Sequence, residues 1–245
     1  MKAVLLGATK GMGRALARLL AERGERLFLL EHVPEELDRT ARDLEIRGAD
    51  PPVNWAVCDL LKPETFAPAL DAAEKELGGF DTVIVTAGLF GTQEELEADR
   101  EFAARLLAAD FTNTVLFCEE ARTRLLAAGG GTLCVFSSVA GERGRKPVIL
   151  YGSAKAGLSR YLEGLDHKFR AEGLKTVCVK PGFVKTGMTA GLDPPPFAGE
   201  PGDVARRVLR AIERGRPEVY VPPAWRYVMC VIRNLPRFVM RRIKF

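Results

Sequence analysis

Short apolar runs rich in Val, Leu and Ile alternate along the chain with longer stretches in which apolar residues recur at helical spacing. An uninterrupted apolar run is typical of a strand buried on both faces, and such strands separated by helices build a parallel sheet. Right-handed crossovers then give a doubly wound parallel sheet, the α/β fold of the Rossmann type. The pattern predicts strands at about 3–6, 27–30, 53–57, 82–85, 132–136, 175–179 and 218–221. It predicts helices at about 12–22, 35–47, 108–127 and 151–171, with one more between the third and fourth strands.

The chain has 245 residues, which suits one domain of this kind. We predict a single Rossmann-type domain over residues 1–223 and a basic amphipathic segment over residues 224–245. One stretch, residues 186–203, interrupts the alternation directly after a predicted strand, where a lid over a substrate would lie. That stretch contains Gly191, Pro194, Pro195, Pro196, Gly199 and Gly202.

Composition is that of an ordinary folded protein, with 47% hydrophobic and 28% charged residues. The net charge is +4, but residues 219–245 hold six basic residues and no acidic one, so the rest of the chain is slightly acidic. A basic surface over the whole chain, which nucleic-acid binding would require, is therefore not indicated. No run of about 18 uncharged apolar residues is present, so we expect no ordinary membrane-spanning helix.

The five cysteines are odd in number, and none has the C-x-x-C spacing of a zinc or redox motif. Most lie in apolar runs, where cysteine behaves as a small buried hydrophobe. We therefore predict no metal site and a reducing compartment, the cytoplasm. Since the first residues run directly into a strand and a glycine turn, we expect no signal peptide.

A glycine-rich loop follows the first predicted strand and opens the first helix. It reads Gly7-Ala8-Thr9-Lys10-Gly11-Met12-Gly13. Glycines at such a junction allow a tight turn and let backbone N–H groups approach a pyrophosphate, whose negative charge a helix N-terminus favours. The motif alone is weak, but its place at the first strand–helix junction of an alternating chain favours a dinucleotide cofactor.

Residues at three further strand ends would complete that site. Glu31 follows the second strand, where a carboxylate accepts hydrogen bonds from the adenosine ribose and repels a 2′-phosphate. Lys10 favours NADP, because a cation in the loop could pair with a 2′-phosphate. We give Glu31 more weight and expect NAD, with NADP left open; a capping role for Glu31 is the structural alternative. Asp59, after the third strand, either accepts from the adenine amino group or occupies a surface turn. Ala87 and Gly88 follow the fourth strand, where small residues let a cofactor lie across the strand ends.

A second group of residues carries reaction chemistry. Tyr151 and Lys155 lie four residues apart, so they share one face of the predicted helix. The ammonium of Lys155 should lower the pKa of the phenol from its usual value of about 10, toward the pH at which a proton donor works best. Ser138 ends the fifth strand and could hold a substrate oxygen in line with the phenol. These residues predict hydride transfer to or from a carbon bearing oxygen, with Tyr151 as acid or base.

Together with the glycine loop, these residues resemble the short-chain dehydrogenase/reductase family over essentially the whole chain. The matching positions are Gly7, Gly11, Gly13, Asp59, Ala87, Gly88, Ser138, Tyr151, Lys155 and the run Pro-Gly-Phe-Val-Lys-Thr at 181–186. The resemblance implies an NAD- or NADP-dependent oxidoreductase that acts on a secondary alcohol or ketone. It implies a homo-oligomer built on the two long helices. The cofactor contacts it implies are Thr9, Lys10 and Met12 in the loop, Pro181, Gly182, Val184 and Thr186 at the nicotinamide end, and Tyr151 and Lys155.

Two positions depart from the family pattern. Thr86 stands where the family has Asn before Ala87, and we expect little effect. Asp110, which we count with the candidate catalytic residues, falls where a helix Asn of the family helps hold a water that links the lysine to solvent. A carboxylate accepts hydrogen bonds but cannot donate them, and its charge should raise the pKa of Lys155 and tighten an ion pair. We expect reduced turnover, with Asn113, one helical turn later, as a substitute.

From Trp225 onward, apolar residues recur on one helical face between arginines, and Pro236 breaks the pattern. The face comprises Trp225, Val228, Met229, Ile232, Leu235, Val239 and Ile243. A basic amphipathic helix either lies on a membrane surface or packs on the protein or on a second copy. This ending, with Glu142-Arg143, resembles a branch of the family that reduces a keto sugar carried on a polyprenyl phosphate. That resemblance implies a lipid-linked carbonyl substrate at the inner face of the membrane.

A non-catalytic dinucleotide sensor or scaffold on the same fold is the alternative from another class of protein. Asp110 keeps this alternative open. The set of Ser138, Tyr151 and Lys155 argues against it, because a binding module does not need a proton relay.

Overall fold

The computed structural model describes residues 1–191, 193–195 and 197–243, so Pro196 of the predicted lid and Lys244 of the basic tail lie outside the described residues. The strands are β1 (Lys2–Leu6), β2 (Arg26–Glu31), β3 (Asp50–Val57), β4 (Thr82–Val85), β5 (Gly131–Phe136), β6 (Leu174–Pro181) and β7 (Glu218–Val221). The helices are α1 (Gly11–Ala21), α2 (Pro34–Ile46), α3 (Phe66–Leu77), α4 (Gln93–Ala98), α5 (Arg100–Leu107), α6 (Asn113–Ala127), α7 (Ile149–Phe169), α8 (Pro201–Glu213), α9 (Ala224–Asn234) and α10 (Arg237–Met240).

The strands form one parallel sheet in the order β3-β2-β1-β4-β5-β6-β7, which confirms the predicted doubly wound fold. Side chains of β1 show why its sequence has no polar position. Ala3 and Leu5 face a core shared with α1, α2 and α8, whereas Val4 and Leu6 face a second core shared with α3, α6 and α7. Both faces of the strand are therefore covered, as a continuous apolar run predicts.

Several helices went unrecognised in the sequence. The helices α4, α5 and α8 were not among the predicted elements, although α8 buries Val204, Val208 and Ile212 at regular helical spacing. It begins at Pro201, inside the stretch predicted to be irregular. The predicted helix at 108–127 also differs, because a π-helical turn at Ala108–Thr112 joins α5 to α6.

The C-terminal amphipathic face packs on the protein itself. Trp225, Met229 and Ile232 of α9 are buried against Val139 and Tyr220 in a third apolar cluster. Helix α9 ends at Asn234, ahead of Pro236, as the sequence predicts. The inner part of the predicted tail is thus an integral part of the domain surface. None of the described helices combines the length and the apolar character that a membrane span requires.

Four of the cysteines are buried: Cys58, Cys118, Cys134 and Cys178. They pack in the two apolar cores as small hydrophobic groups, and Cys230 alone among the five is exposed. No cluster of three or more His, Cys, Asp or Glu side chains in the described part of the chain is arranged to hold a metal ion.

Candidate active site

The candidate site lies where the strand order reverses. The chain runs outward from β1 to β2 and β3 and then returns to β4 on the other side of β1. At such a point a crevice opens beyond the carboxyl ends of the strands. A cleft of about 420 Å³ lies there and continues into a second space of about 240 Å³. Both spaces are lined by Met12, Thr86, Gly88, Leu89, Thr186 and Met188.

The structure brings the predicted site residues together along this cleft. The larger space is lined by Gly7, Thr9, Lys10, Gly11, Met12, Gly13, Glu31, Asp59, Ala87, Gly88 and Thr186. The smaller space is lined by Ser138, Tyr151, Lys155, Pro181, Gly182, Val184 and Thr186. Asp110 is not part of either lining but lies behind Lys155.

Two glycines of the loop are required by packing against the end of β4. Gly7 has a φ of +98°, and a Cβ there would lie 2.5 Å from the Ala87 backbone nitrogen. A Cβ on Gly13 would lie 2.1 Å from the Gly7 carbonyl oxygen. The Thr86 hydroxyl donates to that same oxygen at 2.8 Å, so Thr86 has a structural role. These contacts bring the start of α1 against the strand ends.

The N-terminus of α1 faces the cleft. Lys10 precedes the helix and its side chain makes no capping hydrogen bond. The N–H groups of the first turn, Gly11 to Gly13, have no acceptors within the helix. Such N–H groups, reinforced by the helix dipole, suit a pyrophosphate. The glycine cradle therefore fits the phosphates of a dinucleotide.

The far end of the cleft is acidic. Glu31 is the last residue of β2, and its carboxylate accepts from the Thr9 hydroxyl at 3.1 Å and from the His32 backbone N–H at 3.0 Å. Lys10 Nζ lies 2.8 Å from Glu36 Oε1 in an exposed ion pair. Glu36 was not predicted to belong to the site. Its carboxylate balances the positive charge of Lys10, the feature that favoured NADP.

Asp59 forms a turn and also lines the cleft wall. Its Oδ1 accepts from the Leu61 backbone N–H at 2.9 Å, which forms a turn. The residue also lines the larger space, so the two alternatives for Asp59 are compatible.

The segment after β6 forms the opposite wall. Val184 is 1% exposed and bridges to Gly199, and its carbonyl accepts from the Thr189 hydroxyl at 2.7 Å. Thr186 lies across the cleft from Gly11, whose added Cβ would lie 3.5 Å from the Thr186 methyl group. The described part of the predicted lid therefore lies across the cleft and faces the glycine loop.

Ser138, Tyr151 and Lys155 meet in the smaller space. The Ser138 hydroxyl accepts from the Ala140 backbone N–H at 3.1 Å, which fixes it at the end of β5. The Tyr151 ring packs edge-on against Phe90, with centroids 5.2 Å apart. Lys155 Nζ lies 5.7 Å from the centroid of the Tyr151 ring and donates to the Phe136 carbonyl at 3.4 Å. Helix α7 thus presents the phenol and the ammonium on one face, as predicted.

The π-helical turn places Asp110 in the interior, fully buried. Its Oδ1 accepts from the Leu89 backbone N–H at 2.6 Å, and its Oδ2 lies 3.2 Å from Lys155 Nζ. The expected ion pair is therefore present. Single π turns inside helices are frequent at functional sites.

Asn113 does not act as a substitute for the family's asparagine. Its amide donates to the Leu60 carbonyl at 2.6 Å, on the wall of the larger space. A π turn has more residues per turn than an α-helix, so residues three apart no longer share a face. The prediction that Asn113 lies on the face of Asp110 and can substitute for the family's asparagine is therefore wrong.

Charges and burial together set the pKa values of this group. Burial lowers the pKa of Lys155, but the Asp110 and Tyr151 charges raise it more, so the net direction is upward, as predicted. Burial also raises the pKa of the Asp110 carboxyl, against the pull of Lys155. The pKa of the Tyr151 phenol does not follow the prediction. Burial raises its pKa, Lys155 lowers it, and Asp110 raises it again, so the net direction is upward.

Arg145 and Trp225 line the smaller space, although neither was predicted to belong to the site. Arg145 enters from the loop between β5 and α7, and Trp225 enters from α9. Trp225 was assigned to the apolar face of the tail, and the sequence held no sign that this face packs beside Gly182. A Cβ on Gly182 would lie 2.0 Å from Trp225 Nε1, so only glycine leaves room for the ring.

The fold and the cleft define a class of protein: an enzyme with a dinucleotide site at one end and a tyrosine–lysine–serine group at the other. The residues present fit such a cofactor, because Gly7 and Gly13 let the start of α1 lie against the strand ends at the cleft and Glu31 is held as an acceptor.

Comparison with known proteins gives the family. A model of short chain dehydrogenases matches residues 1–195. An uncharacterized oxidoreductase of Mycobacterium tuberculosis is 33% identical over 240 residues, with 98% of this chain and 96% of that protein covered. The cis-4-hydroxycyclohexanecarboxylate dehydrogenase of Sinomonas cyclohexanicum is 33% identical over 191 residues, with 78% and 76% covered. A variant of actinorhodin polyketide ketoreductase, solved with NADPH, shares the fold with a TM-score of 0.79 at 21% identity, covering 89% of this chain and 94% of that one.

The chain belongs to the short-chain dehydrogenase/reductase family. It is an oxidoreductase that acts on CH–OH groups with a nicotinamide dinucleotide.

Proposed function

We propose that this enzyme interconverts a secondary alcohol and a ketone with NADH, using Tyr151 as the proton-transferring group. The observation that carries the proposal is the convergence of Ser138, Tyr151 and Lys155 in a space continuous with the glycine-lined cleft. When bound, the nicotinamide supplies or accepts the hydride. Ser138 orients the substrate oxygen, and the Tyr151 hydroxyl donates a proton to that oxygen during reduction and accepts it during oxidation. Lys155 stabilises the phenolate form.

Spectrophotometry tests this proposal against the sensor alternative, which the comparisons do not favour. The purified chain should oxidise NADH in the presence of at least some of a broad panel of cyclic and acyclic ketones. NADH binding without oxidation by any ketone would contradict the proposal and favour a sensor.

We propose NAD as the preferred cofactor over NADP. The support is the fixed carboxylate of Glu31 and the pairing of Lys10 with Glu36 at the adenosine end. A 2′-phosphate dianion placed about 4 Å from a carboxylate is repelled by roughly 2 kcal/mol even with water-like screening.

Replacing Glu31 by Gln should therefore raise kcat/KM for NADPH relative to NADH by about 30-fold, the rate equivalent of roughly 2 kcal/mol. Steady-state kinetics with both cofactors measures this ratio. Glu35→Gln is the matched control, since Glu35 is exposed at the start of α2 and does not line the cleft. An unchanged ratio in Glu31→Gln, or an equal change in Glu35→Gln, would argue against the assigned role of Glu31.

For the substrate, we propose a secondary alcohol or ketone on a ring, and more specifically a keto sugar linked to a polyprenyl phosphate. The more specific substrate, the keto sugar on a polyprenyl phosphate, is supported by the sequence resemblance to the 2-keto reductase subunit of decaprenylphosphoryl-ribose 2′-epimerase. It is also supported by the basic C-terminal residues. The name of the Sinomonas relative describes a ring alcohol that carries a carboxylate. Reduction of a polyprenyl-phospho-keto-sugar, compared with the same sugar lacking the lipid, tests the lipid requirement.

We also propose that the C-terminal region contacts the inner face of a membrane from the cytoplasm. Trp225, Met229 and Ile232 are buried and are not available for this contact. The residues proposed to touch the membrane are Tyr227, Val231 and Phe238, which are exposed and lie among arginines. The variant with all three changed to Ser should float with anionic vesicles several-fold less than the unchanged chain, since exposed apolar area and basic charge drive such binding. Ile46→Ser, at an 87% exposed isoleucine on α2, is the control. Equal flotation of the triple variant and the unchanged chain would refute the contact.

A homo-oligomer through the long helices stays a proposal. It is supported by the exposed apolar side chains of Leu107, Phe111 and Leu116, which lie at the end of α5, in the π turn and in α6. Phe111 packs directly on Gly157 of α7. Light scattering of the purified chain measures the subunit number.

A further inference from the structure

The smaller space extends past the reacting group to two residues that proton transfer does not use, Arg145 and Trp225. Both line the space that contains Ser138 and Tyr151. The two side chains come from different parts of the chain, the loop before α7 and the first turn of α9.

Arg145 makes the outer part of this space positive. Among the described residues that line it, the cationic ones are Lys155 and Arg145, and none is a carboxylate. The charge of Lys155 is balanced by Asp110 at 3.2 Å, behind the lining. Burial lowers the pKa of the Arg145 guanidinium, against the charge of the Tyr151 phenol, but arginine remains protonated at neutral pH. The described lining therefore carries positive charge beside largely apolar residues, which suits a group of opposite charge on a substrate.

Trp225 adds a hydrogen-bond donor. Its ring is 7% exposed and is held between Gly182 and Phe197, whose ring centroid lies 5.0 Å away. The indole Nε1 is buried and has no acceptor among the described residues. A buried donor without an acceptor is rare in proteins and points to a partner that a ligand supplies.

The two residues are held in a fixed relation by contacts between their segments. Arg143 donates to the Leu235 carbonyl at 2.7 Å, and Arg233 pairs with Glu142 at 3.1 Å. Lys146 donates to the Arg241 carbonyl at 2.7 Å. The loop that carries Arg145 is thus tied at three points to α9 and the residues that follow it.

We propose that Arg145 and the indole N–H of Trp225 bind an anionic oxygen group, a carboxylate or a phosphate, on the carbonyl substrate. The inference deepens the proposed function and rests on it. A planar guanidinium binds such groups through paired charge-assisted hydrogen bonds, which are stronger than neutral ones. The enzyme would then select acidic ketones and hydroxy acids or hydroxy phosphates over neutral compounds of the same shape.

Matched substrates test the proposal. The carboxylate pair is 4-oxocyclohexanecarboxylate and 4-oxocyclohexanecarboxamide, and the phosphate pair is dihydroxyacetone phosphate and dihydroxyacetone. Arg145→Met should lower kcat/KM for the preferred acid by about 10–100-fold, the usual effect of losing a charged hydrogen bond, and mainly through KM. Activity on the neutral partner should change less than about threefold. Trp225→Phe, which keeps the ring and removes the N–H, should lower kcat/KM for the acid by about fivefold. The pair with the larger discrimination identifies the anion.

The control is Arg226→Met, which removes the same charge from an exposed position next to Trp225. An equal loss on acid and neutral partner in Arg145→Met, or the same loss in Arg226→Met, would overturn the proposal.

A binding measurement separates this inference from the proposed function. Trp225 is one of two tryptophans, so 4-oxocyclohexanecarboxylate should change the fluorescence of the holoenzyme, and Arg145→Met should weaken that binding about tenfold or more. Binding that depends on Arg145 without turnover of any ketone would support the anion site and refute the proposed reaction. Equal turnover of neutral and acidic ketones, with no effect of Arg145→Met on binding, would support the proposed reaction and refute the anion site.

Discussion

Replacing Tyr151 by Phe should lower kcat for ketone reduction by about 10²–10⁴-fold, the usual contribution of a positioned general acid. The substitution removes one oxygen and keeps the ring, which still packs edge-on against Phe90. The fold should therefore be preserved. The dissociation constant of NADH should rise no more than about tenfold, the effect of one lost hydrogen bond. Steady-state kinetics and NADH fluorescence titration measure the two quantities.

The control for this prediction is Tyr227→Phe on α9, which removes a phenol oxygen from a side chain that is 75% exposed. That variant should keep the activity of the unchanged enzyme. If Tyr151→Phe retained more than about a tenth of kcat, proton transfer would have to come from another group.

Replacing Asp110 by Asn should shift the pH dependence of alcohol oxidation toward lower pH. Oxidation needs the Tyr151 phenolate, and the charge of Asp110 raises the pKa of that phenol. Removing the charge lowers the phenol pKa, so more phenolate is present at a given pH below it. A charge a few ångströms away contributes about 1–4 kcal/mol, so the shift should be about one pH unit or more. Turnover at pH 7 should rise by about tenfold, which tests the hypothesis that Asp110 slows the enzyme.

The same substitution should destabilise the protein. Asp110 and Lys155 are both buried, and removing one partner leaves an uncompensated charge, at a cost of about 3–5 kcal/mol. The free energy of unfolding in urea measures this loss. The double variant with Lys155→Met should recover part of it, since no buried charge then remains unpaired.

Asp38→Asn is the matched control for both effects, because Asp38 lies on α2 outside the cleft and pairs only with Arg42 among the described residues. An unchanged pH profile and no rise in turnover in Asp110→Asn would show that this position does not limit the reaction.

The sequence was sufficient to predict the sheet and many of the residues that line the candidate cleft, because both depend on local pattern. Continuous apolar runs such as Val4 to Leu6 reflect burial on two faces, and Gly7 and Gly13 lie where a side chain would collide with neighbouring backbone. Tyr151 and Lys155 share a face through helical geometry alone. Such features follow from residues close together in the chain.

The features that the sequence did not reveal depend on contacts between distant segments. The π turn at Asp110 changes which residues share a face, and nothing in the residue types signals it. The pKa of Tyr151 depends on the burial of its side chain as well as on the charge of Lys155. Trp225 joins the site because α9 packs beside Gly182, although its spacing alone was equally consistent with a membrane-facing helix.

In the proposed reaction, hydride passes from NADH to the ketone carbon and Tyr151 supplies the proton. The most direct test of this reaction uses NADH deuterated at the transferable position of the nicotinamide, a ketone that the enzyme reduces, and mass spectrometry of the product. The unchanged enzyme should place one deuterium on the carbon that bears the new hydroxyl, and the Tyr151→Phe variant should give almost no labelled product in the same time. An alcohol without deuterium at that carbon, or equal labelling by the Tyr151→Phe variant, would contradict the proposed reaction.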